Sequence, residues 1–69
     1  MDAVEKELAG RKKNIKRELE LLFKANMKFT DWDVPEADDT KAAKILLEIM
    51  REKLDELYQE IQDGKYENY

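Results

Sequence analysis

The chain has 69 residues, a mass of 8.2 kDa and a net charge of −4 at neutral pH, and it contains neither cysteine nor histidine. A chain of this length forms at most one domain with a small core. Disulfides and metal sites built from Cys or His are excluded, and the usual general base and the usual soft nucleophile of enzymes are missing. We therefore expect a single domain over residues 1–69 that is not an enzyme and holds no cofactor or metal.

The first helix is predicted from about residue 2 to residue 27. Asp2 followed three residues later by Glu5 forms a capping pair at its start. Apolar residues then recur on one side of a helix, namely Val4, Leu8, Ile15, Leu19 and Leu22. Phe23 and Met27 are predicted to point away from that side, so the helix becomes apolar on more than one side towards its end.

Residues 28–37 are predicted to form the loop. Pro35 cannot continue a helix, and it biases Val34 towards an extended conformation. Phe29 and Trp32 give this segment more apolar area than a loop normally has. Two interpretations stay open: these side chains fold back over the open end of the hairpin, or they dock a partner, since aromatic residues are enriched at binding hot spots.

The second helix, about residues 38–63, has the strongest pattern in the chain. Apolar residues recur at alternating steps of four and three, namely Ala43, Leu47, Met50, Leu54, Leu57 and Ile61. Asp38 suits the N-terminal cap and Gly64 suits a left-handed C-terminal cap. The polar tail at residues 64–69 is expected to be mobile.

Ile45 and Ile49 lie outside the main apolar stripe of the second helix and form a second strip beside it. A helix that is apolar on two sides needs two neighbours. The sequence therefore predicts an all-α fold, an antiparallel two-helix hairpin that dimerises into a four-helix bundle. The predicted dimer or protein-interaction surface consists of Phe23, Met27, Trp32, Ile45 and Ile49.

Charge is distributed unevenly along the chain. Residues 1–30 carry eight basic and five acidic side chains, whereas residues 31–69 carry five basic and twelve acidic ones. Five cations lie within a narrow arc of the first helix and form a stripe about 33 Å long, the basic stripe: Lys6, Lys13, Arg17, Lys24 and Lys28. Such a stripe could follow a phosphate backbone, although the whole chain is acidic.

Three functional classes fit this sequence. The leading one is a small homodimeric regulator or inhibitor without enzymatic activity that binds a protein partner, as phages and other mobile elements often encode. The second is an RNA- or DNA-binding hairpin that uses the basic stripe, and the third is an assembly subunit of a larger complex. No apolar run approaches the roughly 18 residues of a membrane span, and the charged N-terminus is unlike a signal peptide, so we expect a cytoplasmic location.

Overall fold

A computed structural model describes residues 2–36 and 38–69. Within these residues the chain forms two α-helices that contact each other, and no strand: α1 at Ala3–Asp33 and α2 at Asp39–Gln62. The predicted all-α hairpin is confirmed. Met1 and Ala37 lie outside the described residues. Both belong to the predicted domain, and Ala37 belongs to the predicted loop as well.

Helix α1 begins as predicted and ends later than predicted. The Asp2 carboxylate caps its first turn, accepting a hydrogen bond of 2.7 Å from the backbone N–H of Glu5. Its last residue is Asp33 instead of Met27. No helix breaker occurs between these two positions, and the helix ends only where Pro35 forces Val34 out of the helical region, at φ −134° and ψ 79°.

Helix α2 is capped at both ends by the residues that the sequence indicates. The Asp38 carboxylate accepts hydrogen bonds from the backbone N–H groups of Thr40 and Lys41, at 3.0 and 3.2 Å. At the other end Gly64 has a φ of 84°. Its N–H donates to the carbonyl of Ile61, and the next N–H, that of Lys65, donates to the carbonyl of Glu60, each at 3.1 Å. This pair of bonds is the Schellman motif that commonly ends helices.

The hairpin is thin and elongated. None of the described side chains is buried, and the chain measures 49 × 27 × 17 Å with a radius of gyration of 16.0 Å. A globular domain of this length has a radius of gyration of about 11 Å. The two helices alone therefore do not enclose a core.

Neither described helix is long and apolar enough to cross a bilayer.

Candidate functional site

The contact between the helices is marked by their half-buried residues. On α1 these are Phe23, Asn26, Met27 and Thr30, and on α2 they are Ala42, Ala43, Leu46, Met50 and Leu57. Glu60 of α2 is also half-buried, but its contacts are with the C-terminal tail. The polar members on α1 bond to their own helix, since the Asn26 amide donates to the Leu22 carbonyl at 2.9 Å and the Thr30 hydroxyl donates to the Asn26 carbonyl at 3.0 Å. Phe23 and Met27 thus lie on the side of α1 that faces α2.

An open groove of about 400 Å³ runs along one side of this contact. Apolar residues of both helices form its walls, and its rim is charged; the lining residues are Lys16, Leu19, Glu20, Phe23, Leu47, Met50, Arg51 and Leu54. Leu19, Leu47 and Leu54 remain about half exposed although they belong to the predicted apolar stripes. The hairpin therefore covers only part of its own stripes.

Ile45 and Ile49 lie together in a second open groove, of about 350 Å³, near the loop. They line it with Thr30 of α1 and with Ala42 and Leu46. This groove lies on the opposite flank of α2 from the first one, and the two isoleucine side chains are 47% and 56% exposed. The predicted second strip of α2 is present and uncovered.

Phe29 and Trp32 lie on the last turns of α1, whereas the sequence analysis placed them in the loop. Their side chains are 62% and 86% exposed, and with Lys28 and Asp31 they line a shallow hollow of about 340 Å³. Because they remain on the outer surface of the helix, they do not cover the open end of the hairpin. The five residues of the predicted surface consequently occupy three places: Phe23 and Met27 towards α2, Ile45 and Ile49 in the second groove, and Trp32 at the end of α1.

Extending α1 to Asp33 adds Phe29 to the apolar side that the sequence predicts for this helix. Leu8, Ile15, Leu22 and Phe29 recur at intervals of seven residues, and Val4 precedes them on the same side of the helix. These five residues, which we call the α1 stripe, are between 44% and 67% exposed. Phe29 was left out because the predicted helix ended at residue 27. The position of Pro35 was the available signal that the helix continues far enough to include Phe29.

The basic stripe lies on one uninterrupted helix. Lys6, Lys13, Arg17, Lys24 and Lys28 are all exposed. Among the residues that the structure covers, only Lys24 of these five has an ion-pair partner, with its Nζ atom 3.7 Å from Glu20 Oε2. The remaining four cations face solvent, where they are available to an anionic partner.

The carboxylates of Asp31 and Asp39 meet where α1 ends and α2 begins. A hydrogen bond between the two side chains raises the pKa of Asp31 above its ordinary value, and desolvation and the negative charge of Asp39 raise it further. A proton bound between two carboxylates joins them, whereas two ionised carboxylates repel each other. In the described part of the chain, no group of three Asp or Glu side chains is placed to hold a metal ion.

The tail that was expected to be mobile folds back onto α2 in a series of turns. The Tyr66 hydroxyl donates a hydrogen bond of 3.0 Å to Glu60 Oε2, and Lys65 Nζ lies 3.3 Å from the same oxygen. The hydrogen bond from Tyr66 is the main reason why the pKa of Glu60 is lowered, and the same bond raises the pKa of Tyr66. Sequence reasoning had predicted the cap at Gly64 but not the contact that follows it.

Comparison with protein-family models, with curated proteins and with solved structures found no match to this chain.

Proposed function

We propose that this chain is a non-enzymatic protein-interaction module whose working unit is a homodimer that forms a four-helix bundle. In that role it acts as a small regulator or inhibitor, using the faces left outside the bundle to bind a partner protein. The proposal concerns the association of helices, and it assigns no reaction to any side chain.

The observation that carries the proposal is the excess of exposed surface, to which many large apolar side chains contribute. The accessible surface of the chain is 6621 Å², whereas a compact monomer of this mass exposes about 4,500 Å². The excess of about 2,000 Å² per chain exceeds the roughly 800 Å² that each partner contributes to a standard protein interface. Since burying apolar surface drives both folding and association, a second chain would supply the stabilisation that the hairpin lacks.

The α1 stripe and the groove around Ile45 and Ile49 also support the proposal, because they show where the exposed apolar residues lie. Monomeric soluble proteins rarely expose contiguous apolar patches larger than a few hundred Å², and larger patches mark interaction sites. Both helices therefore have a partner-binding side in addition to the side on which they contact each other.

The proposal is tested by sedimentation equilibrium over a wide range of protein concentration, with circular dichroism on the same samples. We expect a helical dimer for the native chain and a weakened dimer for Ile49→Glu, which places a charge in the exposed apolar groove. Gln62→Glu is the matched control, since it adds the same charge at an exposed position of α2 and should leave the dimer intact. A fully helical monomer at every concentration would refute the dimer. A poorly helical monomer would favour an assembly subunit that folds only with a larger partner.

The basic stripe supports a second candidate function, RNA or DNA binding. Its exposed cations are spread along about 33 Å of one face of α1, and contacts between cations and phosphates supply most affinity that does not depend on sequence. Binding of a labelled RNA or DNA duplex that falls steeply with salt, and that disappears in Lys13→Glu/Arg17→Glu, would favour this candidate. No binding at low salt would remove it.

A further inference from the structure

The α1 stripe lies on the same side of the hairpin as Ile45 and Ile49. Successive residues of a helix are rotated by about 100° around its axis. Measured against that sense of rotation, the α1 stripe lies roughly 80° from the side of α1 that faces α2, and Ile45 and Ile49 lie roughly 100° from the side of α2 that faces α1. Because the two helices run in opposite directions, these two similar rotations lead to the same side of the hairpin. One broad face of the hairpin is therefore apolar on both helices.

Along this face the two helices differ in how far the apolar surface extends. The α1 stripe extends from Val4 to Phe29, whereas on α2 the residues that follow Ile49 on this side are Glu52 and Glu56. The partner of the α1 stripe must be apolar over nearly the whole length of α1. On this face of the hairpin only α1 itself meets that requirement.

The N-terminal part of the stripe cannot be covered within the hairpin. α1 has 31 residues and α2 has 24, so α1 is longer by about 10 Å. The hollow near its N-terminus is lined by α1 residues alone, Ala3, Lys6, Glu7, Gly10 and Arg11. Val4 and Leu8 project from this segment and are 67% and 49% exposed, and a second chain would supply their apolar neighbours.

The spacing of the stripe is typical of helices that wind around one another. A repeat of seven residues falls about 20° short of two full turns of a straight helix, so a strict repeat favours a left-handed supercoil with a neighbouring helix. Leu8, Ile15, Leu22 and Phe29 follow that repeat without a break. Ala25, three residues after Leu22, widens the stripe in its second half.

Charge selects the direction of the neighbouring helix. Residues 2–17 carry six basic and three acidic side chains, whereas residues 18–33 carry two basic and four acidic ones, which gives charges of +3 and −2. Two copies of α1 side by side in the same direction would place like charges together. When the two copies run in opposite directions, the basic half of each copy lies beside the acidic half of the other. Such complementary charge fixes the orientation of paired helices.

We propose that the α1 stripe is the seam of the homodimer and that it packs antiparallel against the α1 stripe of a second copy. Leu8 then lies opposite the partner's Phe29, and Ile15 lies opposite the partner's Leu22. The twofold axis crosses the seam between Glu18 and Leu19. This inference rests on the proposed function, since it assigns the arrangement of a dimer that was proposed there.

The absence of cysteine from the chain makes disulfide cross-linking a direct test. Ile15→Cys and Leu22→Cys are oxidised separately and as a one-to-one mixture that has been unfolded and refolded together. The mixture should give a covalent dimer whose peptide map joins position 15 to position 22. Each variant alone should lose that product, because its two thiols lie about 10 Å apart along the seam and disulfides need Cα atoms within about 7 Å. Lys13→Cys, which lies on the basic stripe, controls for random collision.

Sedimentation of the reduced variants separates the two proposals. If Leu22→Cys alone cross-linked as readily as the mixture, the two α1 helices would run parallel and the inference would be overturned. If the variants still dimerised but no mixture cross-linked, the seam would lie elsewhere, and the dimer itself would stand. A native chain that remained monomeric at every concentration would refute the proposed function together with the seam.

Discussion

The Tyr66 hydroxyl donates a hydrogen bond to the Glu60 carboxylate at 3.0 Å, across six residues of chain, and thereby ties the tail to the last turns of α2. Lys65 adds an ion pair to the same carboxylate at 3.3 Å. The Schellman motif at Gly64 turns the chain back so that this contact can form. The C-terminal end of the hairpin is thus closed by polar contacts, in contrast to the apolar surface along its sides.

Tyr66→Phe should detach the tail without unfolding α2. The substitution removes the hydrogen bond that lowers the pKa of Glu60, so that pKa should rise towards its ordinary value. The measurement is NMR titration of the Glu60 carboxyl group, with hydrogen exchange at the backbone amides of Lys65 and Glu67 as a second readout. Tyr69→Phe is the matched control, and an equal rise of the Glu60 pKa in that variant would contradict the assignment.

Acid should strengthen the Asp31–Asp39 contact. The pKa of Asp31 is raised in the folded chain, so the folded state holds its proton more firmly than the unfolded state does. The resulting stabilisation is fully present below the unfolded pKa of about 3.9 and is lost as the pH rises through the folded pKa. Asp31→Asn should therefore raise the melting temperature at neutral pH, and its advantage over the native chain should shrink as the pH falls towards 4.

The control for this prediction is Asp33→Asn. Both substitutions remove a negative charge from the C-terminal turn of α1, where the helix dipole disfavours it. Only Asp31 has the hydrogen-bonded partner Asp39. Circular dichroism melts are recorded at several pH values and one fixed protein concentration. The melting temperatures of Asp31→Asn and of the native chain should converge as the pH falls. Identical pH dependence in the two variants would mean that the helix dipole alone accounts for the effect.

Gly10→Ala should stabilise the chain by about 0.5 to 1 kcal/mol. Gly10 lies inside α1, and a Cβ atom built there meets nothing within 4 Å. Alanine lowers the conformational entropy of the unfolded chain at no steric cost. Urea unfolding at fixed protein concentration measures the free energy of unfolding, and a decrease would show that this part of α1 is in close contact with another chain.

Gly64→Ala should have the opposite sign. The φ of 84° lies in the left-handed region, which costs a residue with a Cβ atom about 1 to 2 kcal/mol. The added Cβ would also lie 3.3 Å from the Glu67 carboxyl carbon, a flexible group that can move aside. Because the same substitution is favourable at Gly10, the pair isolates backbone conformation as the cause. A neutral result in urea unfolding would mean that the cap contributes little to stability.

Sequence patterns predicted the helices and their caps because those depend on residues close together in the chain. Asp2, Asp38 and Gly64 act within four residues of their own positions, and each does what its residue type indicates. The predicted end of α1 was wrong because no residue between Met27 and Asp33 stops the helix, which continues until Pro35 disfavours it. Which side of α1 faces α2 could not be predicted, since the helix is apolar on more than one side and only the relative rotation of the two helices decides between them.

The structure holds only some residues of the predicted surface together, for the same reason. Ile45 and Ile49 form a strip that helical periodicity alone defines, and the structure keeps them together and exposed. Phe23 and Met27 were grouped with them on apolar character, although the rotation of α1 turns them towards α2. The row of Val4, Leu8, Ile15 and Leu22 was predicted from periodicity, whereas its last member, Phe29, was missed because the predicted helix ended before it.

Trp32 and Phe23 should respond differently to truncation, although both belong to the surface predicted from the sequence. Trp32 is 86% exposed, so Trp32→Ala should change the free energy of unfolding by no more than about 0.5 kcal/mol. Phe23 is half-buried against α2, and Phe23→Ala should cost more, although less than the 3 to 5 kcal/mol typical of a fully buried aromatic side chain. Urea unfolding of both variants at one protein concentration measures the difference. A large loss for Trp32→Ala would mean that a second chain covers this tryptophan in solution, because nothing within the described hairpin does. An exposed tryptophan that contributes nothing to folding has its area available for binding, whereas Phe23 already uses much of its area to hold the two helices together.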